Sequence, residues 1–244
     1  MTIETSQKLS LRALARSMMI QSSALAGCAG ETVELFCEHG QIKRFADGEI
    51  LATRGYEVQS LIFVIEGSIE IGMFTVQGKR FIARYVAPGQ LLGVIPIIDG
   101  GSAIHDVQAH GEIAALLIPR KTFSEAIASD PGLAQALLRL LCTRSRARYD
   151  DAAANAIAPV RVRVARTLLS LLPAYGVQRG NTVRIELRLS QEEFAALVGV
   201  SRQCVNRQMS EFRRMGVIST SYSRIEVVDY TALQNLSSLD LWAE

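Results

Sequence analysis

The stretch from Ser190 to Met215 constrains this chain most, because two helices there must be held close together by a turn of fixed shape. Ser190-Gln191-Glu192-Glu193 is a capping box: the serine hydroxyl accepts from the amide three residues on, and the glutamate reaches back to the serine amide. A short helix follows, with Phe194, Ala195, Leu197 and Val198 as its apolar positions. Gly199 ends it, since only glycine adopts positive φ cheaply at that place. Val200 fills the corner, and Ser201 caps a second helix, Arg202 to Met215, with Val205, Met209 and Phe212 on its buried side. Small Ala195, then Gly199, then β-branched Val205 is the pattern of two helices crossing closely, a helix-turn-helix. Gln208 departs from it, being commonly apolar in such motifs, and Met209 is expected to supply the missing contact.

The outer face of the second helix carries Arg202, Gln203, Asn206 and Arg207. These residue types read base edges: arginine bonds guanine in bidentate fashion, and glutamine or asparagine bonds adenine. They sit at the helix N-terminus, the end that enters a major groove. Beyond it, Gly216-Val217-Ile218, a polar tip and Ile225 to Val228 predict two short strands, a wing. Arg213, Arg214 and Arg224, with the cap residues Ser190 and Ser201, are the candidate phosphate contacts. The competing readings are a solvated charged face, or a winged helix that meets protein.

Charge agrees with a nucleic-acid partner once it is divided along the chain. The 26 Lys+Arg and 24 Asp+Glu leave a formal charge of only +2. Residues 1–157 hold 15 basic and 16 acidic side chains, net −1, whereas residues 158–236 hold 11 arginines against 6 acids, net +5. Residues 237–244 add −2. A near-neutral segment is joined to a basic one whose cations are all arginine.

The preceding residues read differently. Residues 11–39 are helical in short pieces, with Gly27, Gly30 and Gly40 as breakers. From Ile42 to Ile118, short β-branched runs alternate with turns: Leu61 to Ile65, Glu66-Gly67 as a turn, Ser68 to Phe74, Gln77-Gly78-Lys79 as a hairpin tip, Arg80 to Val86, Pro88-Gly89, and Glu112 to Ile118. This spacing means an all-β sandwich, barrel or roll. The apolar run Leu91 to Ile98 is read as core or pocket wall. Pro119 to Ile127 reads as a short helix, and Asp130-Pro131 opens a long one without a strong breaker before Pro159. Leu133, Leu137, Leu140 and Leu141 make its apolar stripe, followed by Arg144 and Arg148. Such a rod must bury that stripe, and a second copy of itself is the expected partner, with a core helix of the same domain as the alternative. After Pro159 a further helix is expected to Leu172, then a loop holding Pro173, Gly176 and Gly180, then a strand from Thr182 to Leu189.

Taken together, Gly48-Glu49, Phe63 to Ile69, the Pro88-Gly89 turn, the long helix and the stretch Leu189 to Arg207 resemble the Crp/Fnr superfamily of transcription regulators, over about Phe45 to Leu236. The resemblance implies an α+β chain: an N-terminal double-stranded β-helix (a jelly-roll-like β-roll of the cyclic-nucleotide-binding type), a long dimerisation helix and a C-terminal winged helix-turn-helix. The corresponding divisions are 1–129, 130–158, 159–236 and a tail, 237–244. It implies a homodimer on palindromic promoter sites in double-stranded DNA, with RNA polymerase as a partner if the protein activates. An effector would shift a population between two arrangements of the winged helices through the long helix. The family's base readers map to Arg202, Gln203 and Arg207. Gln203 stands where glutamate is common, which leaves the half-site open.

The family's cAMP binders carry a Gly-Glu for the ribose and an Arg-Ser/Thr pair for the phosphate. Here Val94 follows Gly93, and no arginine lies between Leu91 and Leu117. Burying a cyclic phosphate without a cation is costly, so cyclic-nucleotide binding is disfavoured. Arg148-Tyr149 stands where the purine would be met, and the candidate effector-pocket residues are Gly93, Val94, Ile104, His105, Arg148 and Tyr149. The effector itself stays unknown. An iron–sulfur cluster is not expected, because Cys28 and Cys37 are too few and Cys142 lies elsewhere. Haem stays open through His39, His105 or His110. Cys204, inside the second helix of the motif, is a candidate redox residue, since a helix N-terminus and nearby arginines favour the thiolate; a small polarizable filler is the plainer reading.

Four scattered cysteines without a C-x-x-C pair read as reduced thiols. The N-terminal Leu11 to Ile20 is broken by Arg12 and Arg16, which a signal-peptide core would not be, and no apolar run approaches the roughly 18–20 residues of a membrane span. A cytoplasmic location without a membrane partner is expected. No metal site, phosphate-loop glycine motif, H-E-x-x-H or G-x-S-x-G is present, so no catalytic residue is assigned and the chain is not expected to be an enzyme.

Overall fold

The computed structural model describes residues 3–74, 80–221 and 224–238, with side chains from residue 7 onward. The expected hairpin tip at Gln77-Gly78-Lys79, the tip of the wing at 222–223 and the tail from 239 fall outside the described residues. The chain divides into two compact units, and the boundary on the long helix lies between Arg146 and Ala147.

The first unit opens with α1 (Ile3–Gln21), one 3₁₀ turn (Ser23–Leu25) and α2 (Gly30–His39). Its strands are β1 (Gln41–Phe45), β2 (Ile50–Ala52), β3 (Ser60–Phe74), β4 (Arg80–Val86), β5 (Leu91–Leu92) and β6 (Asp106–Pro119). The order is β1-β6-β3-β4, with β2 on β6 and β5 on β3. Three helices complete the unit: α3 (Val94–Asp99), α4 (Arg120–Ser129) and the first half of α5 (Pro131–Ile157).

Two runs expected as separate strands, Leu61 to Ile65 and Ser68 to Phe74, form the single strand β3. Glu66-Gly67 is a bulge rather than a turn, with register shifts against β6 on either side of Glu66. Gly67 takes φ +80°, and a Cβ there would collide with the Glu112 carbonyl across the ladder. The extra residue bends the strand without ending it. β3 is buried along most of its length because both faces are covered. On one face, Met19, Phe36, Leu61, Phe63, Leu116 and Phe123 pack the helices onto the sheet. On the other, Val64, Ile69, Ile71, Val86 and Ile113 fill the inside of the roll.

The long helix departs from expectation in one respect. Leu133 and Leu137 are 0% and 2% exposed and belong to the first unit's own core, while Leu140 and Leu141 pack partly against it. The stripe read as an interface is thus covered in the single chain, by the first unit's own core. Its large exposed hydrophobic side chains are Leu138, Tyr149 and Ile157.

Asp130 anchors the start of α5. Its buried carboxylate accepts from Thr32 Oγ1 (2.6 Å), the amide of Ala29 (2.8 Å), and the amides of Gly132 (2.9 Å) and Leu133 (3.1 Å). The Thr32 hydroxyl, aided by these three amides against the cost of burial, holds the Asp130 carboxyl below the usual aspartate range. The charged form is therefore favoured by folding. Its stabilising contribution is complete above the ordinary aspartate pKa of about 3.9 and is lost as pH falls through the lower folded value. Asp130→Ala is expected to cost about 1–3 kcal/mol at neutral pH in urea unfolding, with the gap to the parent narrowing in acid.

The second unit holds the rest of α5, then α6 (Val160–Tyr175), β7 (Gly176–Arg179), β8 (Thr182–Ile185), α7 (Gln191–Val198), α8 (Arg202–Arg214), β9 (Ile218–Ser221), β10 (Arg224–Val227) and α9 (Tyr230–Ser237). Pro173, expected in a loop, lies in the last turn of α6, where the backbone bond it forgoes is close to the helix end. The expected loop is a strand, β7, paired with β8 from Gly176 opposite Ile185 to Arg179 opposite Thr182. The sheet order is β7-β8-β10-β9. Leu168 of α6, Phe212 of α8 and Leu233 of α9 are fully buried beneath it.

Candidate functional site

Both caps of the helix-turn-helix form. Glu193 N–H donates to Ser190 Oγ (3.1 Å), and Ser190 N–H donates to Glu193 Oε2 (2.8 Å). Cys204 N–H donates to Ser201 Oγ (3.3 Å). Gly199 caps α7 at φ +74°, its amide donating to Ala195 O (2.8 Å). Arg163 of α6 braces the turn, donating from Nη2 to the carbonyls of Val198 (2.5 Å) and Gly199 (3.1 Å). Ala195, Val205 and Phe212 are buried as the spacing requires. Gln208 differs from expectation: it is itself buried, with Oε1 unbonded among the described residues, and Met209 is only half-buried.

The outer face of α8 presents Arg202, Gln203 and Arg207 as exposed side chains, with Asn206 half-buried beside them. Two of the four are engaged within the protein through one residue of α7. Gln191 Oε1 accepts from Asn206 Nδ2 (2.9 Å) and from Arg202 Nε (3.1 Å). Arg202 also lies 3.4 Å from Glu192, an exposed pair of little net strength. Gln203 and Arg207 make no side-chain hydrogen bond among the described residues. Cys204 is half-buried beneath this face.

The phosphate candidates divide into two sets. Arg214 is exposed at the end of α8. Arg213 bridges α8 to the wing, donating to Ser210 Oγ (2.9 Å) and Thr220 Oγ1 (3.2 Å). Arg224 lines a cavity of about 480 Å³ with Arg184, Arg188, Ser219, Ser221 and Glu226. Arg184 and Arg188 were not singled out from the sequence. The strand expected to run to Leu189 ends at Ile185, but burial goes on alternating beyond it (Ile185, Leu187 and Leu189 buried), which leaves Arg188 exposed. Arg184 Nε is bonded to Glu226 Oε1 (2.8 Å), so this concavity holds three arginines around one acid.

In the first unit, a cavity of about 90 Å³ opens at Gly93, Val94, Ile104 and His105, four of the residues chosen as pocket candidates. The other two, Arg148 and Tyr149, are exposed on α5 and are not among its lining. The arginines that do reach it are Arg84 from β4 and Arg144, one turn earlier on α5. Arg144 Nη2 donates to Leu91 O (2.7 Å), and Arg84 Nη1 to Gln90 Oε1 (3.3 Å). The arginines that the Leu91–Leu117 stretch lacks are supplied from outside it, where sequence proximity does not show them.

Cys28 is half-buried and Cys37 buried; burial raises both thiols above their ordinary range, with Asp130 adding to the effect at Cys28 and Glu34 at Cys37. The three histidines stand on separate elements: His39 at the end of α2, His105 before β6, and His110 on β6 with its ring edge-on to Tyr85 at 4.9 Å. No helix among the described residues is long and apolar enough to cross a membrane.

Family models match both parts of the chain: the cyclic nucleotide-binding domain over residues 42–130 and the Crp-like helix-turn-helix domain over 162–236. A CRP-like cAMP-activated global transcriptional regulator of Mycobacterium tuberculosis is 29% identical over 216 residues, covering 88% of this chain and 94% of that protein. The cAMP-activated global transcriptional regulator CRP of Escherichia coli is 24% identical over 199 residues, covering 80% and 93%. Among solved structures, a CRP-family transcriptional regulator of Thermus thermophilus has TM-score 0.65 at 26% identity, over 80% of this chain and 96% of that one. FixK2 of Bradyrhizobium japonicum has TM-score 0.72 at 18% identity, over 82% and 98%, a likeness of fold.

Proposed function

This chain belongs to the Crp/Fnr family of transcription regulators, and from that premise we propose that it acts as a homodimer on palindromic promoter sites, each subunit placing α8 in a major groove. It is a DNA-binding regulator with a cyclic-nucleotide-binding-type roll and a Crp-like helix-turn-helix. The observation that carries the reading of α8 is the exposed set Arg202, Gln203 and Arg207 within its first two turns. In this reading Arg202 and Arg207 bond guanines and Gln203 a neighbouring base, while Asn206 exchanges its bond to Gln191 for a base edge. Ser190, Ser201, Arg213, Arg214 and Arg224, joined by Arg188, hold phosphates and set the register. Two-fold symmetry would place successive half-sites about 34 Å apart.

The dimer forms along α5, but not through the leucines buried in the subunit. Leu138, Cys142, Ser145, Tyr149, Ala152 and Ala156 are all exposed and recur at four- and three-residue intervals. That spacing is a coiled-coil seam, and its small residues allow close approach. Promoter location in the cytoplasm and contact with RNA polymerase follow from the same reading. cAMP is disfavoured as the effector, because no carboxylate or hydroxyl side chain that could meet a ribose is among the described lining of the roll cavity.

Selection from fragmented genomic DNA, followed by gel shift on the enriched sequence, tests the function. A palindromic consensus is expected, and enrichment no better than random DNA would refute it. Arg213→Ala and Arg188→Ala are each expected to weaken all sequences alike and to lower the salt slope of log K by about 1. Titration of the enriched and a scrambled site over a salt series measures both.

A further inference from the structure

The cavity in the roll has a chemistry of its own. Its walls include Ile62, Leu92, Val94, Ala103, Ile104 and Val107, with Arg84, Arg144 and His105 among them. No aspartate, glutamate, serine or threonine is among its described lining residues. Two half-buried guanidiniums beside an aliphatic wall favour an anion with an apolar body, since a guanidinium's planar donors match a carboxylate's two oxygens. The volume limits its size. At about 90 Å³ the cavity is smaller than the engineered 150 Å³ cavity known to hold benzene, so about six heavy atoms, the count benzene and butyrate share, is the upper limit of its occupant.

We propose that this cavity binds a short-chain monocarboxylate of about butyrate's size, its carboxylate on Arg84 and Arg144 and its alkyl chain against Val94, Ile104 and Val107. The proposal deepens the reading of the roll as an effector domain and rests on it. Arg144 holds Leu91 O in the structure described, and the incoming carboxylate takes over that donor. The gain exceeds an exchange of neutral acceptors because a charged acceptor bonds a guanidinium more strongly.

Isothermal titration of the full chain with sodium acetate, butyrate, inorganic phosphate and cAMP, each alone, is the test. Saturable binding of one butyrate per subunit is expected, tightening about fourfold for each methylene from acetate to butyrate as that methylene leaves water. Arg84→Gln is expected to weaken butyrate at least about tenfold, and Arg84→Lys to recover part of the loss. Thermal melts of both variants check that they fold; if Arg84→Gln does not, Val94→Phe, which fills the cavity, is expected to abolish butyrate binding instead. Failure of both acetate and butyrate to bind, phosphate binding as tightly as butyrate, or cAMP binding more tightly would each overturn the proposal. Gel shift on promoter DNA is read separately. A protein that binds DNA but no carboxylate sinks only this inference, whereas one that binds butyrate but no DNA sinks the regulator reading and leaves the carboxylate site standing.

Discussion

Leu138→Asp, combined with Tyr149→Asp, is expected to leave each subunit folded and to turn the protein into a monomer that scarcely binds its promoter. The two side chains are 63% and 76% exposed in the single chain, so charging them removes no subunit core packing and changes monomer stability by less than about 0.5 kcal/mol. In an isologous pair each stands near its own copy, so every substitution confronts two like charges at the centre of the seam. Loss of the partner makes the second half-site contact intermolecular again, and apparent affinity for the full palindrome falls by about 10²- to 10⁴-fold. Sedimentation equilibrium reads the mass and gel shift the affinity. The contrasting variant is Leu133→Ala. Leu133 is fully buried in the subunit, so that variant is expected to lower unfolding free energy by about 2–5 kcal/mol. A double aspartate variant that stays dimeric would move the interface off this face of α5. The exposed thiol at Cys142 offers a direct check, because two copies paired along the seam bring it near its counterpart for oxidative cross-linking.

That contrast also shows what the sequence could and could not disclose. The period of Leu133, Leu137, Leu140 and Leu141 identifies a buried stripe but not its partner, since packing on one's own sheet and on a second chain demand the same spacing. The structure covers Leu133 and Leu137 from within and leaves Leu138 and Tyr149 open. Local signals were the legible ones. The capping box at Ser190, the glycine at 199, the cap at Ser201 and the helix start at Pro131 each depend on residues within a turn of one another, and each forms. Glu66-Gly67 misleads for a related reason: glycine at positive φ serves a turn and a bulge equally, and only the ladder from β3 to β6 decides. The cavity was partly legible. Gly93, Val94, Ile104 and His105 lie in or beside the run that lines it, whereas Arg84 and Arg144 arrive from a strand and a helix remote in sequence. Arg188 was within reach: the apolar alternation Ile185, Leu187, Leu189 leaves the residue between the last two on the other side.

Arg207→Ala is expected to cost about 1–3 kcal/mol on the selected site, some fivefold to 150-fold in affinity, and to relax preference at one position of each half-site. The side chain is exposed and makes no hydrogen bond within the described protein. Its removal thus disturbs nothing until DNA is present, and thermal stability should stay that of the parent. Arg202 differs: it must first leave Gln191 Oε1 and Glu192, so part of its base contact is offset by bonds already made. Arg202→Ala is therefore expected to lose less than Arg207→Ala. Competition with probes altered one base pair at a time separates the two roles. If Arg207 reads a base, the parent discriminates at its position and the variant does not, while all other positions keep their ranking. If it only holds phosphate, every probe weakens by the same factor and the salt slope drops, the pattern expected of Arg213. Arg207→Lys sharpens the distinction, because an ammonium keeps the charge but loses the bidentate fork. A base reader should lose discrimination on that change; a phosphate contact should keep most of its affinity.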